Sequence, residues 1–354
     1  MADALRDILD MDVDELTAFL AELGQKPYRA RQLLGWIYRK GVAEFSAMSD
    51  IAQPLREELA RRACIGTAKV EAVDRADEGA TAKYLFRLAD GAAIEAVSMR
   101  DGEGRHTVCI SSQVGCALGC LFCATGTLGF QRNLTCGEIL FQALEIVRQE
   151  GTMGNVVFMG MGEPLLNVPN VVKAIGALAD PTRLGLGTRK ITVSTAGVVP
   201  GIEALAASNA PVRLALSLNS PFQGQREQLM PVSQRYPLPQ VLEACDGYTA
   251  RTGKPVLLEY VLLEGINTGH AEARELARIA KRLDSKVNLI EFNPIEGIPF
   301  HAPESRETLQ FRDWLMKEGI LATIRWRRGR EISAGCGQLA AKKRTTDNGP
   351  RTTT

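Results

Sequence analysis

Three closely spaced cysteines lie in the stretch CISSQVGCALGCLFCATGTLGF, which begins at Cys109. Cys116 and Cys120 are separated by three residues, and Cys120 and Cys123 are separated by two. The chain has eight cysteines in all. In proteins that are not secreted, cysteines at such short spacings are metal ligands or redox groups more often than partners in structural disulfides. The stretch therefore predicts a metal or redox site.

Two kinds of metal group are candidates for this loop. A structural zinc ion takes four ligands, usually as two close pairs, and Cys109 would have to supply the fourth from within a predicted strand. Iron–sulfur clusters are normally held by four thiolates, so three cysteines on one loop leave one iron open for a substrate or cofactor. We therefore expect Cys116, Cys120 and Cys123 to hold a [4Fe–4S] cluster.

The elements that position this loop follow from the hydrophobic pattern. Amphipathic helical segments separate six apolar runs that predict strands, namely TVCISSQ, GNVVFMG, KITVSTAG, VRLALSLN, VLLEYVLL and VNLIEFNP. Such alternation gives parallel strands joined by right-handed crossovers. Six units are too few for a closed eightfold barrel. The sequence thus predicts an α/β fold, a partial (βα)6 TIM-like barrel, with a short β extension in ATIRWRRGR after the sixth unit.

Four regions are predicted along the chain. Residues 1–63 are expected to form a small helical accessory domain, whose segment KPYRARQLLGWIYRKGV suits either RNA binding or an ordinary amphipathic helix. Residues 64–100 alternate as short antiparallel strands and predict a β-hairpin linker. Residues 101–340 form the predicted barrel core. Residues 341–354 are polar and predict a disordered tail.

A glycine-rich segment and several polar residues lie at the ends of the predicted barrel strands. GMGEP, residues 160–164, follows the second strand, Ser194 lies in the third, Asn219 follows the fourth, and Asn293 follows the sixth. In barrels of parallel strands, chemistry takes place at the carboxyl ends. Glycines let the backbone approach a ligand closely, and the carboxylate of Glu163 suits an ammonium group. These positions and the cysteine loop predict a single site.

The net charge and the hydrophobic pattern restrict which partners the protein can bind. The net charge is +1, so contact with a polyanion must come from local patches. One such patch is the arginine cluster in IRWRRGR, residues 324–330, whose guanidinium groups suit contacts with phosphates. The segment MADALRDILDMDVDEL has no apolar signal core, and no apolar run is long enough to span a bilayer. We therefore expect a cytoplasmic protein with no membrane partner.

Three segments resemble a known family. ISSQVGCALGCLFCATG, REISAGCGQL and, near the N-terminus, YRARQLLGWIY are similar to motifs of the RlmN/Cfr family of radical S-adenosylmethionine (SAM) methyltransferases, which modify an adenine carbon in 23S rRNA. The resemblance implies a radical SAM barrel, a [4Fe–4S] cluster with three cysteine ligands and an open iron, and two SAM molecules per turnover. It also implies a set of SAM contacts: Gly162, Glu163, Ser194, Ser217, Leu218, Asn219 and Asn293. Asn219 departs from the pattern, since the family usually has His there.

The same resemblance gives roles to three residues outside the cluster loop. Adenine C2 is electron-poor and cannot attack the SAM methyl group as a nucleophile, so the methyl group must first be activated. By position, Cys336 is the methyl carrier, as an S-methylcysteine intermediate, and Glu95 accepts the ring proton. Cys109 is the resolving thiol, which releases the product through a transient disulfide with Cys336. Such a disulfide is catalytic, as cytosolic conditions allow.

The implied function is methylation of adenine C2 in 23S rRNA at the peptidyl-transferase centre. The resemblance extends it to the adenosine 3′ of the anticodon in some tRNAs, with an electron-donor protein such as flavodoxin. Two alternatives stay open at this point. One is a Cfr-like methyltransferase that acts on adenine C8, and the other is a zinc-stabilised RNA-binding protein without catalysis. No chemistry is assigned to Cys64, Cys136 or Cys245.

Overall fold

The structure is a computed structural model that describes residues 5–208, 210, 212–327 and 329–341. Its N-terminal part is mainly helical and begins with a short strand. The elements are β1 (Arg6–Asp7), α1 (Val13–Glu22), α2 (Tyr28–Leu34), α3 (Gln53–Arg62) and β2 (Ala63–Cys64). Asp12 is the N-cap of helix α1, and its capping box with Glu15 satisfies two of the free N–H groups at the start of the helix. Strands β1 and β2 pair in parallel, which brings the two ends of this part together.

Three antiparallel strands follow, as the alternating pattern predicts. They are β3 (Lys69–Ala76), β4 (Thr81–Arg87) and β5 (Ala93–Arg100). Strand β5 then pairs antiparallel with the first barrel strand, so the three strands extend the barrel sheet. The predicted domain boundaries at residues 63, 100 and 340 stay a prediction. Strand pairing continues across the boundary at residue 100, where β5 pairs with β6 (His106–Cys109).

The first barrel unit contains the cysteine loop. It consists of β6 (His106–Cys109), β7 (Gln113–Gly115), α4 (Ala124–Thr127), β8 (Phe130–Asn133) and α5 (Cys136–Glu150). Strands β7 and β8 pair antiparallel and frame the loop from both sides. Thr135 and Glu138 form the capping box of α5, as their spacing predicts.

The remaining units complete the predicted partial barrel. They are β9 (Asn155–Phe158), α6 (Val168–Ala179), β10 (Ile191–Thr195), α7 (Val199–Ala207), β11 (Arg213–Ser217), α8 (Gln223–Leu229), α9 (Val232–Arg235), α10 (Leu238–Thr252), β12 (Leu257–Leu262), α11 (His270–Arg282), β13 (Val287–Glu291), α12 (Ser305–Lys317) and β14 (Ala322–Arg325). The strand order in this sheet is β14-β13-β12-β11-β10-β9-β6-β5-β4-β3, in which β6 and the strands from β9 to β14 pair in parallel. All six predicted barrel strands are present.

The N-terminal helices and the barrel share one apolar core. Buried residues from α1 to α3 belong to the same hydrophobic cluster as those of the barrel strands and helices. Polar contacts cross the boundary as well. The carboxylate of Asp10 accepts from the N–H of Gly137 at 2.6 Å, and Arg183 donates to the carbonyl of Met11 at 2.9 Å. In the described part of the chain, no helix has the length and apolar character needed to cross a membrane.

Candidate active site

The three clustered cysteines lie on the loop framed by β7 and β8. Cys116 follows β7, and its N–H donates to the carbonyl of Gly129 at 3.0 Å, while Cys123 immediately precedes α4. Burial raises the pKa of the Cys116 thiol to about 12 and raises the pKa of Cys120 well above its ordinary value. The surrounding protein therefore favours neutral thiols. A positively charged metal group is needed to hold them as thiolates.

The donor set of this loop suits a cluster. All eight cysteines lie in the described part of the chain and are free. Within the described ranges, no group of three or more His, Cys, Asp or Glu side chains is arranged to hold a single metal ion. In a cluster, by contrast, each thiolate binds a different iron, so the sulfurs do not meet at one point. Three thiols on one loop therefore fit a [4Fe–4S] cluster with one open iron.

The GMGEP segment packs tightly against β7. A Cβ atom at Gly162, where φ is +97°, would lie 2.5 Å from Cβ of Gln113, so only glycine fits there. Next to it, the buried Glu163 carboxylate accepts from the N–H groups of Leu165 at 3.0 Å and Ala196 at 2.9 Å. Burial raises the pKa of Glu163 to about 7. An ammonium group beside this carboxylate would stabilise its charged form.

The predicted serines meet across neighbouring strands. Ser194 in β10 and Ser217 at the end of β11 approach each other with their hydroxyl oxygens 3.2 Å apart. Leu218 follows, and its N–H donates to the carbonyl of Glu259 in β12 at 2.9 Å. These hydroxyl groups lie at the barrel end that the sequence predicts for SAM.

Asn219 is engaged in structural contacts. Its φ is +56°, a left-handed conformation that Asn tolerates better than most residues. The side-chain oxygen accepts from the N–H of Val261 at 2.9 Å, and the side-chain nitrogen lies 3.3 Å from the sulfur of Met230. Both polar atoms are therefore used within the protein. These contacts fix the orientation of the Asn219 side chain, and the predicted SAM contact of Asn219 stays a prediction.

The C-terminal segment lies between the cysteine loop and the last barrel strands. The hydroxyl of Thr125 in α4 donates to the carbonyl of Leu339 at 2.6 Å. The side-chain nitrogen of Asn293 donates to the carbonyl of Cys336 at 3.2 Å, while its side-chain oxygen is buried with no partner in the structure. A buried acceptor without a donor is unfavourable, so this oxygen is suited to a ligand donor. The arrangement places Cys336 at the mouth of the barrel.

Cys109 and Cys336 are brought together from distant parts of the chain. Cys109 is buried at the carboxyl end of β6, and burial raises the pKa of its thiol, which the negative charge of the Cys336 thiolate raises further. Cys336 is accessible to solvent, yet protein surrounds its thiol enough that desolvation raises the pKa of Cys336. The guanidinium of Arg325 lowers both pKa values. The two thiols are near enough for their charges to interact, and the transient disulfide between them stays a prediction.

Glu95 lies on β5, the strand next to β6, and is buried. Lys83 forms an ion pair with it at 3.2 Å, between Nζ and Oε1. Its other oxygen accepts from the N–H groups of Ala340 at 2.8 Å and Ala341 at 3.1 Å. Glu95 is thus brought to the C-terminal segment that carries Cys336. The C-terminal segment occupies one of the two carboxylate oxygens of Glu95 with backbone hydrogen bonds.

The arginine cluster has partners inside the protein. Arg325 pairs with the buried Glu259 at 3.2 Å, and Arg327 pairs with the buried Glu291 at 3.0 Å. Arg328 and the side chain of Arg330 lie outside the described part. The predicted phosphate contacts stay a prediction, and for Arg325 and Arg327 they would compete with these ion pairs.

Sequence reasoning made no prediction for three charged residues of this region: Lys83 and Glu259, whose ion pairs are described above, and Arg226, which donates to the carbonyl of Leu218 at 3.0 Å. Glu259 had a visible signal, because a carboxylate inside the apolar run VLLEYVLL is unusual for a buried parallel strand. Lys83 and Arg226 had none, since each is one cation among polar neighbours in the sequence.

Comparison with known proteins assigns the family. A family model for the N-terminal domain of ribosomal RNA large subunit methyltransferases matches residues 6–65, and the radical SAM superfamily model matches residues 110–277. The chain is 44% identical to the dual-specificity RNA methyltransferase RlmN of Geotalea uraniireducens, with 95% of this chain and 97% of that protein covered. The chain belongs to the RlmN family of radical SAM methyltransferases. RlmN of Geobacter sulfurreducens is 43% identical, with 96% and 93% covered.

A solved structure agrees with this RlmN assignment. The crystal structure of a radical SAM methyltransferase from Sphaerobacter thermophilus superimposes with a TM-score of 0.92 at 41% identity, covering 95% of this chain and all of that one. The predicted radical SAM barrel is therefore confirmed, and so is the expectation of an enzyme that uses a [4Fe–4S] cluster and SAM. Membership of an enzyme family favours catalysis over the zinc-stabilised binding protein.

Proposed function

We propose that this RlmN family member methylates C2 of an adenosine in 23S rRNA, and of the adenosine 3′ of the anticodon in some tRNAs. One observation carries the proposal, namely the position of the C-terminal segment. Residues 335–341 contact Asn293 through Cys336, α4 through Leu339 and Glu95 through Ala340. The proposed methyl carrier therefore lies between the cysteine loop and the proposed base.

The roles follow from what each side chain can do. Bound cluster and SAM would supply the methyl group and an organic radical. Cys336 accepts the methyl group on its sulfur, for which it must lose its proton; burial raises the pKa of that thiol, and the guanidinium of Arg325 offsets part of the rise. The radical would take a hydrogen atom from that S-methyl group, and the resulting carbon would bond to C2 of the ring, so that the ring and Cys336 are joined through a carbon–sulfur bond. Glu95 takes the proton from C2, and one electron would return to the cluster. Cys109 then attacks the sulfur of Cys336 as a thiolate: the carbon–sulfur bond breaks, the freed carbon takes up a proton to become the methyl group, and a two-electron reductant reopens the disulfide.

The cofactor contacts are part of the same proposal. Cys116, Cys120 and Cys123 hold the cluster. The carboxylate of Glu163 binds the ammonium group of SAM, and the unpartnered oxygen of Asn293 accepts from a donor group of SAM. The further contacts are those expected from the sequence: Gly162, Ser194, Ser217, Leu218 and Asn219. The cluster receives its electron from a donor protein such as flavodoxin, and the enzyme acts in the cytoplasm.

The test is made on anaerobically purified enzyme with its RNA. Mass analysis of digested 23S rRNA should find 2-methyladenosine after incubation with the wild type, whereas 8-methyladenosine would point to the Cfr-like reaction. Cys336→Ala should abolish methylation with iron content unchanged. Cys109→Ala should accumulate a covalent protein–RNA adduct, because the resolving thiol is missing. Cys64→Ala, which alters a half-buried cysteine of the N-terminal part, is the matched control and should retain activity.

Mass spectrometry of the digested protein tests directly whether Cys336 carries a methyl group. Wild-type protein should carry one additional methyl group on Cys336, and the peptide should be unmodified in the absence of SAM. Normal turnover by Cys336→Ala would rule out the carrier role.

A further inference from the structure

A buried arginine lies behind the SAM-binding strand ends and has no role in the reaction proposed above. Arg226 in α8 has 0% of its surface exposed. Its guanidinium donates to the carbonyls of Ala196 at 2.6 Å, Leu218 at 3.0 Å and Ser217 at 3.3 Å, and to the hydroxyl of Ser233 at 2.5 Å. These bonds tie the carboxyl ends of β10 and β11 to α8 and α9.

The hydrogen bonds use all three guanidinium nitrogens of Arg226 but do not neutralise its charge. None of the ion pairs in the described ranges includes Arg226. The Glu163 carboxylate contacts the same residue, since it accepts from the N–H of Ala196 at 2.9 Å, but it forms no ion pair with Arg226 in the described part of the chain. Desolvation lowers the pKa of Arg226 to about 10. A buried cation of this kind is strongly unfavourable unless a negative group lies nearby.

The cysteine loop packs directly on the helix that carries Arg226. The N–H of Leu121, between Cys120 and Cys123, donates to the carbonyl of Leu229 at the end of α8, at 3.0 Å. Cys120 packs against the apolar cluster that includes Leu229. The charges of Arg226 and of a Cys120 thiolate are near enough to attract each other. The buried thiol of Cys245 in α10 also faces Arg226, but it stays protonated because burial raises its pKa to about 12. The negative group that faces Arg226 when the cluster is bound is therefore the thiolate of Cys120, the cluster ligand whose charge interacts with that of Arg226.

We propose that Arg226 is a positioning residue whose buried charge balances the iron–sulfur cluster and raises its reduction potential. Three thiolates and a cluster together carry a negative charge, which grows by one when the cluster takes up an electron. A fixed cation in a medium of low dielectric constant stabilises the more negative state. Through its hydrogen bonds, the same side chain also fixes Ser217 and Leu218, where SAM is expected. The inference rests on the proposed function only in taking the three cysteines as cluster ligands.

The test measures the reduction potential of the reconstituted full-length protein without RNA, by titration with dithionite and detection of the reduced cluster by EPR. Arg226→Gln removes the charge and retains an amide donor, and we expect a shift to a more negative potential. Arg226→Lys keeps the charge and loses most of the hydrogen bonds. We expect a potential close to that of the wild type, together with weaker SAM binding.

Arg183→Gln is the matched control. Arg183 is also buried, at 6% exposed, but it contacts Met11 and Asp180 at the junction with the N-terminal part. Its replacement should leave the potential unchanged. A wild-type potential and wild-type iron content in Arg226→Gln would overturn the proposal.

Failure to assemble the cluster is also informative, provided that iron content and thermal unfolding of the metal-free proteins are measured. Iron loss in Arg226→Gln but not in Arg226→Lys supports the charge role. Equal iron loss in both variants, with lowered melting temperatures of both metal-free forms, shows a purely structural residue and overturns the proposal. A wild-type protein with a normal cluster that fails to methylate RNA would contradict the proposed function and leave the role of Arg226 intact.

Discussion

At the scale of single residues, Glu163 shows how its surroundings prepare a side chain for one kind of ligand. The carboxylate is 4% exposed and accepts two backbone hydrogen bonds, from Leu165 and Ala196. Burial nevertheless raises its pKa to about 7. The environment thus holds the group in place and leaves its charge only partly compensated, which an ammonium group of a ligand would correct.

We expect Glu163→Gln to weaken SAM binding with little change in fold. The amide keeps the shape and one acceptor oxygen, but it cannot form a charge-assisted hydrogen bond, which contributes about 1.5–3 kcal/mol, or roughly a 10- to 100-fold change in Kd. Equilibrium binding of SAM to the reconstituted protein measures the effect. Glu163→Asp keeps the charge but shortens its reach and should give an intermediate affinity. Unchanged affinity in both variants would remove Glu163 from the SAM site.

At the scale of elements, the start of α5 is the point where the N-terminal part docks on the barrel. The carboxylate of Asp10 accepts from the N–H of Gly137 in the first turn, and the carboxylate of Asp7 accepts from the N–H groups of Leu9 and Gly66, each at 2.9 Å. Burial raises the pKa of Asp7 to about 6. A carboxyl group whose pKa is raised by folding contributes its stabilisation at pH values below the unfolded pKa, and this is lost as the pH rises through the folded value.

The pH dependence of unfolding should therefore differ in Asp7→Asn. Both hydrogen bonds use the same oxygen of Asp7, which an amide retains. Relative to the variant, the wild type should lose about 2–3 kcal/mol of unfolding free energy between pH 4 and pH 7, the size expected of a shift of roughly two pKa units. Urea unfolding at several pH values measures the difference. Asp14→Asn, at an exposed position of α1, is the control and should follow the wild-type pH profile.

The sequence predicted the barrel elements because hydrophobic periodicity reports local burial, and each strand carries its own signal. The cysteine loop and the GMGEP segment could be predicted for the same reason, because each is a contiguous stretch of the sequence. What could not be predicted were contacts between distant segments, such as Lys83 with Glu95 or Arg325 with Glu259. The arginine cluster illustrates the limit. Its residues suggested a surface for phosphates, but the buried partner of Arg325 lies two strands away in the sheet, in a position that no spacing reveals.

At the scale of the whole molecule, the candidate site is completed by a segment that is distant in sequence from the cysteine loop, namely residues 335–341. The C-terminal segment reaches back to Glu95 on the antiparallel extension and to Thr125 beside the cysteine loop. The N-terminal helices in turn support the barrel at α5 and at Arg183. The C-terminal segment and the antiparallel extension therefore meet at the mouth of the barrel, while the N-terminal helices support the barrel through its outer helices and loops.

This arrangement predicts that the metal-free protein unfolds in one cooperative transition. The apolar core is continuous from the N-terminal helices into the barrel, so removing the helices would expose barrel residues to water. Tryptophan fluorescence can report each part separately. Trp36 lies among the N-terminal helices, whereas Trp314 lies in α12 and Trp326 follows β14. Trp36→Phe leaves only the barrel reporters, and the double variant Trp314→Phe with Trp326→Phe leaves only Trp36.

We expect the urea midpoints of both variants to coincide with the midpoint that far-UV circular dichroism gives for the same protein. Coincident transitions by different probes are the test of two-state unfolding. A Trp36 transition at lower urea than the barrel transition would show that residues 1–63 unfold independently. The predicted accessory domain would then be a separate folding unit, and the shared core would contribute too little free energy to couple it to the barrel.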